Sequence, residues 1–180
     1  MAKLPIIIAP DPRLKITAEP VDEVDDGIRK LMDDLLDTMY AAPGIGLSAP
    51  QVGVAKRVLV IDLAREGSPP TPLRVVNPEL VWTSNELKSN EEGCLSLPGQ
   101  FAEIKRPESA SVRYIDPDNV TRKIEVSGAL SACLQHEMDH LDGRLFVDHL
   151  SRLKRDMILR RLFKMRRADG NAIQSPIQIP

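Results

Sequence analysis

The densest group of reactive residues in the chain is a five-residue run that begins and ends with histidine. It reads His-Glu-Met-Asp-His and occupies residues 136–140. On a helix, His136 and His140 share one face, so both imidazoles can converge on one metal ion. Glu137 can then act as a general base toward a water bound to that ion. Because these are two of only three histidines in the chain, a metal site is favoured over a chance surface helix.

A catalytic metal site needs a third protein ligand and keeps one position open for water or substrate. One class of metalloprotease uses a histidine six residues after the second histidine of the motif, but here that residue is Phe146. Cys94 is the other candidate, since a thiolate suits zinc or iron. A lone cysteine is also a common small buried residue, so both interpretations of Cys94 stay open from its own surroundings. His149 lies in no motif and is interpreted as an ordinary residue.

Two further segments complete a pattern with the histidine motif. The three segments read GIGLSAPQ at residues 44–51, EGCLS at 92–96 and QHEMDHLDG at 135–143. In this order they resemble the bacterial form of the peptide deformylase family, whose pattern is G-x-G-L-A-A-x-Q, E-G-C-L-S and Q-H-E-x-D-H-L-x-G. The difference at a fixed position is Ser48, where the family usually has alanine. The resemblance covers about residues 10–150.

The resemblance implies a reaction and a metal. Cys94, His136 and His140 would hold one divalent ion, and Glu137 would be the general acid and base. The implied reaction is hydrolysis of the N-formyl group from the initiator N-formylmethionine of nascent polypeptides, which releases formate. Fe²⁺ is the ion that the family implies in cells, and Zn²⁺, Ni²⁺ or Co²⁺ are expected in purified protein.

The resemblance also implies how substrate is held. The side chain of Gln51 and the backbone N–H of Leu95 would donate to the formyl oxygen, where negative charge develops during hydrolysis. The pocket for the methionine side chain would be lined from the glycine segment and the metal helix. Ile45, Gly46 and Cys133 are therefore the candidate substrate-binding residues, and core packing remains the alternative role for Cys133.

The elements that must position these residues follow from hydrophobic periodicity and turn signals. Helices are predicted over residues 24–40, from Ser127 to Leu141 with Gly143 as the stop, and over 151–167. Strands are predicted over 57–63, over 73–81 with an interruption at Pro78, and as a hairpin of 111–115 with 121–126. The N-terminal arm to about residue 22 is expected to be extended. Helices and strands mix without a βαβ rhythm, so the predicted class is α+β. We expect mixed or antiparallel sheets packed around a central metal-binding helix, with a C-terminal helix.

Length and composition indicate one globular domain. The chain has 180 residues, 42% hydrophobic and 28% charged, which is typical of globular proteins. Residues 1–150 are expected to form the catalytic part, and 151–180 a helix and tail of the same domain. Two cysteines make no disulfide framework, which favours a cytoplasmic location. No signal peptide or membrane association is expected, because the N-terminal apolar run is short and broken by prolines.

Charge is distributed unevenly along the chain. Residues 152–167 hold eight basic residues and one acidic residue, although the net charge of the chain is −2. A solvated basic face is one interpretation of this segment. The other is ribosome binding, because nascent chains emerge among RNA phosphates and related bacterial deformylases dock through such a helix. Because the chain as a whole is not a polycation, we expect no sequence-specific DNA binding, and the 3% aromatic content disfavours RNA-binding modules that stack bases.

Two other functions remain as alternatives to deformylation. The first is a peptidase that uses the same histidine motif, which would cleave unformylated peptides internally. The second is a catalytically idle ribosome-binding protein, in which the basic helix matters and the metal site does not. The presence of all three motifs favours the deformylase.

Overall fold

The computed structural model of the chain describes residues 3–64 and 69–168. Its α-helices are α1 (Asp26–Ala41), α2 (Gly128–Leu141) and α3 (Arg152–Ala168). The strands are β1 (Gly46–Ser48), β2 (Val58–Ile61), β3 (Leu73–Thr83), β4 (Leu87–Cys94), β5 (Leu97–Pro107), β6 (Ser109–Ile115) and β7 (Thr121–Ser127). Short 3₁₀ helices cover Pro12–Lys15, Ala49–Val52 and Phe146–His149.

The strands form two antiparallel sheets. The larger has the order β1-β2-β3-β6-β7, and β4 pairs with β5 in the smaller. The predicted interruption at Pro78 is a register shift within β3, between Val76 and Glu79. Asn77 has a φ of 49° there, and proline has no N–H to donate to a neighbouring strand. The strand thus continues through the irregularity to Thr83.

The larger sheet is covered by a helix on each face. The four residues of β2 are all buried. Val58 and Val60 belong to the apolar cluster that contains Leu35 and Met39 of α1. Leu59 and Ile61 belong to the cluster that contains Leu134 and Leu141 of α2. Because side chains alternate across a strand, a strand covered on both faces is apolar throughout, which explains the unbroken VLVI run.

The predicted α+β class is confirmed, and so are the three helices within two residues at each end. The β4–β5 hairpin was not predicted. The assignment of residues 151–180 to the catalytic domain stays a prediction, and its residues 169–180 lie outside the described part. Within that part, no helix has the length and apolar character needed to cross a membrane.

An N-terminal arm, residues 3–25, runs across the surface that carries all three motifs. Its backbone N–H groups at residues 7, 9 and 18 donate to the carbonyl oxygens of Gln51, Ser96 and Leu141, over 2.7, 2.9 and 2.8 Å. The arm is extended as predicted, except for the 3₁₀ turn Pro12–Lys15. Leu14 in that turn is fully buried with Leu97 and Phe146. The arm therefore belongs to the core.

Leu14→Ala tests the contribution of the arm to stability. Truncating a fully buried leucine leaves a cavity, so we expect the free energy of unfolding to fall by about 2–5 kcal/mol. Urea denaturation of the metal-loaded protein measures this loss. Ile16→Ala, at a half-exposed position of the same arm, is the control and should cost far less. Equal stability of the Leu14 variant and the wild type would show that the arm does not contribute to the core.

Candidate metal centre

Cys94, His136 and His140 form a cluster of metal-binding side chains. One ligand atom from each lies within 4.8 Å of the other two. Cys94 Sγ is 3.3 Å from His140 Nε2, and the two histidine Nε2 atoms are 3.3 Å apart. Cys94 comes from the end of β4, and the histidines come from successive turns of α2. The donor set of one thiol and two imidazoles fits a divalent transition metal such as iron or zinc.

The surroundings shift the pKa values of the two histidines in opposite directions. His140 is enclosed, and burial together with the neighbouring His136 keeps its pKa well below the usual range. His140 is therefore neutral, as a metal ligand must be. Burial also opposes the charged form of His136, but hydrogen bonds with Cys94 and Glu92 outweigh it and raise the pKa of that imidazole. Phe146 occupies the position at which the protease pattern has its third histidine. Its ring stacks on that of His136, with the two ring centroids 6.3 Å apart.

Glu92 is a functional residue that the sequence analysis did not single out. It lies 2.8 Å from His136 Nδ1, so it fixes the tautomer that leaves Nε2 free to bind metal. Burial disfavours its charge, yet hydrogen bonds from His136 and Arg106 hold the pKa of Glu92 below its usual range. Its position two residues before Cys94 was the available signal, since alternate residues of a strand share a face.

Arg106 joins the two elements that carry the metal ligands. Its guanidinium donates to both oxygens of Glu92 on β4, at 2.5 and 3.0 Å, and to Asp139 on α2 at 2.8 Å. The arginine side chain is 5% exposed, so the ion pairs have little contact with water. His149 Nε2 lies 2.7 Å from the same Asp139 oxygen. His149 thus ends a chain of polar contacts that begins at His136.

Glu137 is buried beside the cluster. Burial raises the pKa of its carboxyl to about 7, although His136 and the Ser48 hydroxyl each lower it. Its Oε2 atom has no hydrogen-bond partner among the described residues. Gly46 makes room for this side chain, because a Cβ there would lie 2.5 Å from Glu137 Oε1 and 2.9 Å from Cys133 Sγ. A buried carboxyl that has one oxygen without a partner and a pKa near neutrality can both accept and donate a proton.

The Gln51 side chain reaches the cluster from the other side. Its Nε2 lies 3.5 Å from Cys94 Sγ and 3.2 Å from Ser96 Oγ. Its Oε1 accepts hydrogen bonds from the backbone and the hydroxyl of Ser48. Leu95 follows Cys94 in the turn between β4 and β5. Its side chain lies so close to the glycine segment that a Cβ at Gly44 would be 2.7 Å from it.

A cavity of about 580 Å³ opens onto these residues. Its lining includes eight of the nine predicted site residues: Ile45, Gly46, Gln51, Cys94, Leu95, Cys133, His136 and Glu137. The ninth, His140, completes the metal cluster behind them. Ile45 is half-exposed, whereas Cys133 is buried, and burial with the nearby Glu137 raises the pKa of the Cys133 thiol. The structure therefore brings all nine residues to one place, and their individual roles stay predictions.

Two histidines and a buried glutamate on an H-E-x-x-H helix, with a cysteine from a neighbouring strand and a cavity beside them, define a metal-dependent hydrolase. Comparisons with known proteins identify the family within this class of hydrolases. The sequence profile of the polypeptide deformylase family matches residues 3–156. Peptide deformylase of Agrobacterium fabrum is 50% identical over 164 residues, which are 91% of this chain and 96% of that protein. That of Methylocella silvestris is 50% identical over 179 residues, 98% and 90% of the two chains.

Solved structures give the same result. The crystal structure of peptide deformylase from Ehrlichia chaffeensis matches with a TM-score of 0.90 and 41% identity, covering 94% of this chain and 99% of the other. The plant peptide deformylase PDF1B matches with a TM-score of 0.88 and 34% identity, over 98% and 97%. The chain belongs to the polypeptide deformylase family, metal-dependent hydrolases that remove the N-formyl group from nascent polypeptides.

Glu92→Gln tests the support that Glu92 gives to His136. Glutamine can still accept a hydrogen bond but lacks the negative charge that faces His136 Nδ1 and Arg106, so we expect metal affinity to fall about 10- to 100-fold. Competition with a chelator for Zn²⁺ at fixed pH measures it. Glu103→Gln makes the same charge change at an exposed position of the same hairpin and should leave the affinity unchanged. Equal affinities of the Glu92 variant and the wild type would contradict the assignment.

Proposed function

We propose that Cys94, His136 and His140 bind the metal ion of this deformylase and that Glu137, Gln51 and Leu95 carry out its reaction. The observation that carries the proposal is the meeting of a thiol, two imidazoles and a buried glutamate with one unpartnered oxygen at one cavity. The substrate is an N-formylmethionyl nascent peptide, and formate is the released product. The chemistry of the donor set and the family resemblance support this assignment.

The proposed ion in cells is Fe²⁺, and Zn²⁺, Ni²⁺ or Co²⁺ can occupy the same ligands in purified protein. A bound divalent ion supplies Lewis acidity, which makes a water more acidic and polarises a carbonyl. The protein contributes the negative charge of the Cys94 thiolate, which reduces the net charge of the centre. It also contributes the fixed orientation of His136, set by Glu92. Thiolate and imidazole ligands suit both iron and zinc, and the preference for iron follows from the resemblance.

Glu137 moves the proton in the proposed reaction. Its carboxylate takes a proton from the attacking water and delivers it to the nitrogen of the leaving amine. A pKa of about 7 suits both steps, because such a group is neither too weak a base nor too weak an acid near neutral pH. The enclosure of Glu137 excludes bulk water, so the proton passes between the carboxyl and the bound substrate.

Gln51 and Leu95 stabilise the charge that develops on the formyl oxygen. The proposed donors are the Gln51 Nε2 amide, which lies 3.5 Å from Cys94 Sγ, and the backbone N–H of Leu95, the residue that follows Cys94. Both belong to rigid parts of the fold, because Gln51 is fully buried and Leu95 lies in the tight turn that joins β4 to β5. Donors held in place before the reaction lower its barrier without a reorganisation cost.

The cavity suits an extended peptide. Within the described chain, β1 pairs only with β2, and β4 only with β5. Residues 44–46 and 90–94 both line the cavity, so it lies between two strands that each have an unpaired edge. A peptide can add to such an edge through backbone hydrogen bonds. Ile45, Gly46 and Cys133 are the proposed contacts of the methionine side chain, which fits their apolar character.

The ribosome is the proposed partner of α3, and the cytoplasm the proposed location. Leu162 anchors the helix in the core, while six basic side chains point to solvent: Arg152, Lys154, Arg160, Arg161, Lys164 and Arg167. Their charge favours a phosphate-rich surface. Substrates that emerge from ribosomes and two free thiols support a cytoplasmic location.

Formate release from formyl-Met-Ala-Ser tests the proposed reaction. Fe²⁺-loaded protein prepared without oxygen should release formate, and Glu137→Ala should lower the rate at least about 10²-fold while retaining its metal. An enzyme-coupled formate assay and metal analysis measure the two quantities. A metal-loaded Glu137 variant with wild-type activity would refute the role of Glu137. Cleavage of internal bonds in unformylated peptides would instead identify a peptidase.

Charge substitutions in α3 test the proposed partner. Changing Arg160, Arg161 and Lys164 to glutamine should reduce co-sedimentation with ribosomes, and the remaining binding should depend less steeply on salt. Hydrolysis of the tripeptide should not change, because these side chains do not line the cavity. Deletion of residues 152–180 is a less direct test, since it also removes the buried Leu162. Undiminished co-sedimentation of the triple variant would exclude α3 as the ribosome-binding element.

A further inference from the structure

Ser48 occupies a position between two of the proposed catalytic groups. It is the last residue of β1 and is fully buried. The 3₁₀ helix that begins at the next residue carries Gln51. On the other side of the site, β1 also carries Gly46, whose backbone lies against the Glu137 carboxyl. The family pattern usually has alanine at this position, whereas this chain has serine.

The hydroxyl and the backbone of Ser48 both hold the oxygen end of the Gln51 amide. The N–H and the Oγ–H each donate to Gln51 Oε1 over 2.9 Å. A carbonyl oxygen has two lone pairs, and both have a donor here. A rotated amide would place its NH₂ group against these two donors in a buried site, which is unfavourable.

The nitrogen end of the amide is directed toward the metal ligands as a result. Gln51 Nε2 lies 3.5 Å from Cys94 Sγ and 3.2 Å from Ser96 Oγ. With its oxygen fixed by Ser48, the amide can present only N–H groups on this side. This is the orientation that a donor to the formyl oxygen requires.

We propose that Ser48 is a positioning residue for deformylation, whose hydroxyl fixes the Gln51 amide in its donating orientation. The proposal rests on the role proposed for Gln51 above. The backbone N–H of Ser48 supplies one of the two hydrogen bonds, and the hydroxyl supplies the second. Removing the hydroxyl leaves one lone pair of Oε1 without a donor and allows the amide to move relative to the formyl oxygen.

Ser48→Ala removes only the hydroxyl, and alanine at this position fits the family pattern. We expect kcat for formyl-Met-Ala-Ser to fall about two- to tenfold, the effect of one neutral hydrogen bond, with KM and metal content unchanged. The same substitution should lower kcat less in the Gln51→Ala background than in the wild type, because the group that Ser48 orients is gone. Steady-state kinetics of the four proteins, loaded with the same metal, measure this coupling.

Ser131→Ala is the matched control. Ser131 is also fully buried, and its Oγ also contacts a glutamine side chain, Gln135, over 2.9 Å. It lies on α2 but does not line the cavity, so loss of its hydroxyl should leave kcat unchanged. A general effect of removing a buried serine hydroxyl would appear in both variants.

A second measurement does not require turnover. In the zinc-loaded protein with ¹⁵N-labelled glutamine, the side-chain NH₂ protons of Gln51 should exchange faster with solvent in Ser48→Ala than in wild type or Ser131→Ala. Unchanged exchange of these protons would overturn the proposal, even if formate release fails for another reason. An equal loss of kcat in the wild-type and Gln51→Ala backgrounds, or no loss in either, would also overturn it.

Discussion

Three ligand atoms must meet within 4.8 Å, although Cys94 and His136 are far apart in the sequence and lie on different kinds of element. The β4–β5 hairpin contributes the thiol, and α2 contributes both imidazoles. Arg106 connects the two, because it binds Glu92 of the hairpin and Asp139 of the helix at once. Burying an ion pair costs desolvation free energy, and separating its partners inside the protein costs more, because each charge is then left unpaired. The hairpin and the helix are therefore difficult to separate, and the metal ligands stay together.

Residues that are recognised by their local spacing are easier to predict from the sequence than residues whose role depends on contacts between distant parts of the chain. His136, Glu137 and His140 are recognisable because their spacing matches a helical turn. The β4–β5 hairpin was missed because its inward-facing residues include Glu92 and Arg106, and charged residues are normally outside. An apolar alternation, which predicts a strand, is absent where a strand turns ionic groups inward. The burial of Glu92 and Arg106 is explained by the structure, in which Glu92 binds both Arg106 and His136 of the candidate metal cluster.

The role of the Ser48 hydroxyl is another example of a contact that the sequence alone does not reveal. As a sequence change from alanine to serine it is small and uninformative. Its contact with Gln51 depends on a turn geometry, and its approach to Glu137 depends on the packing of α2 against β1. The three candidate metal ligands could thus be predicted from the motifs and the family resemblance, whereas the orientation of the groups around them required the three-dimensional structure.

The N-terminal arm has a consequence for how the protein is made. Its hydrogen-bond partners at residues 51, 96 and 141 are synthesised progressively later, so the arm is among the last segments to find all of its contacts. Such long-range pairing is slow compared with local folding. The cluster of Cys94, His136 and His140 likewise cannot form before residue 140 has been made. Each molecule of this enzyme must be nearly complete before it can process the beginning of any other protein.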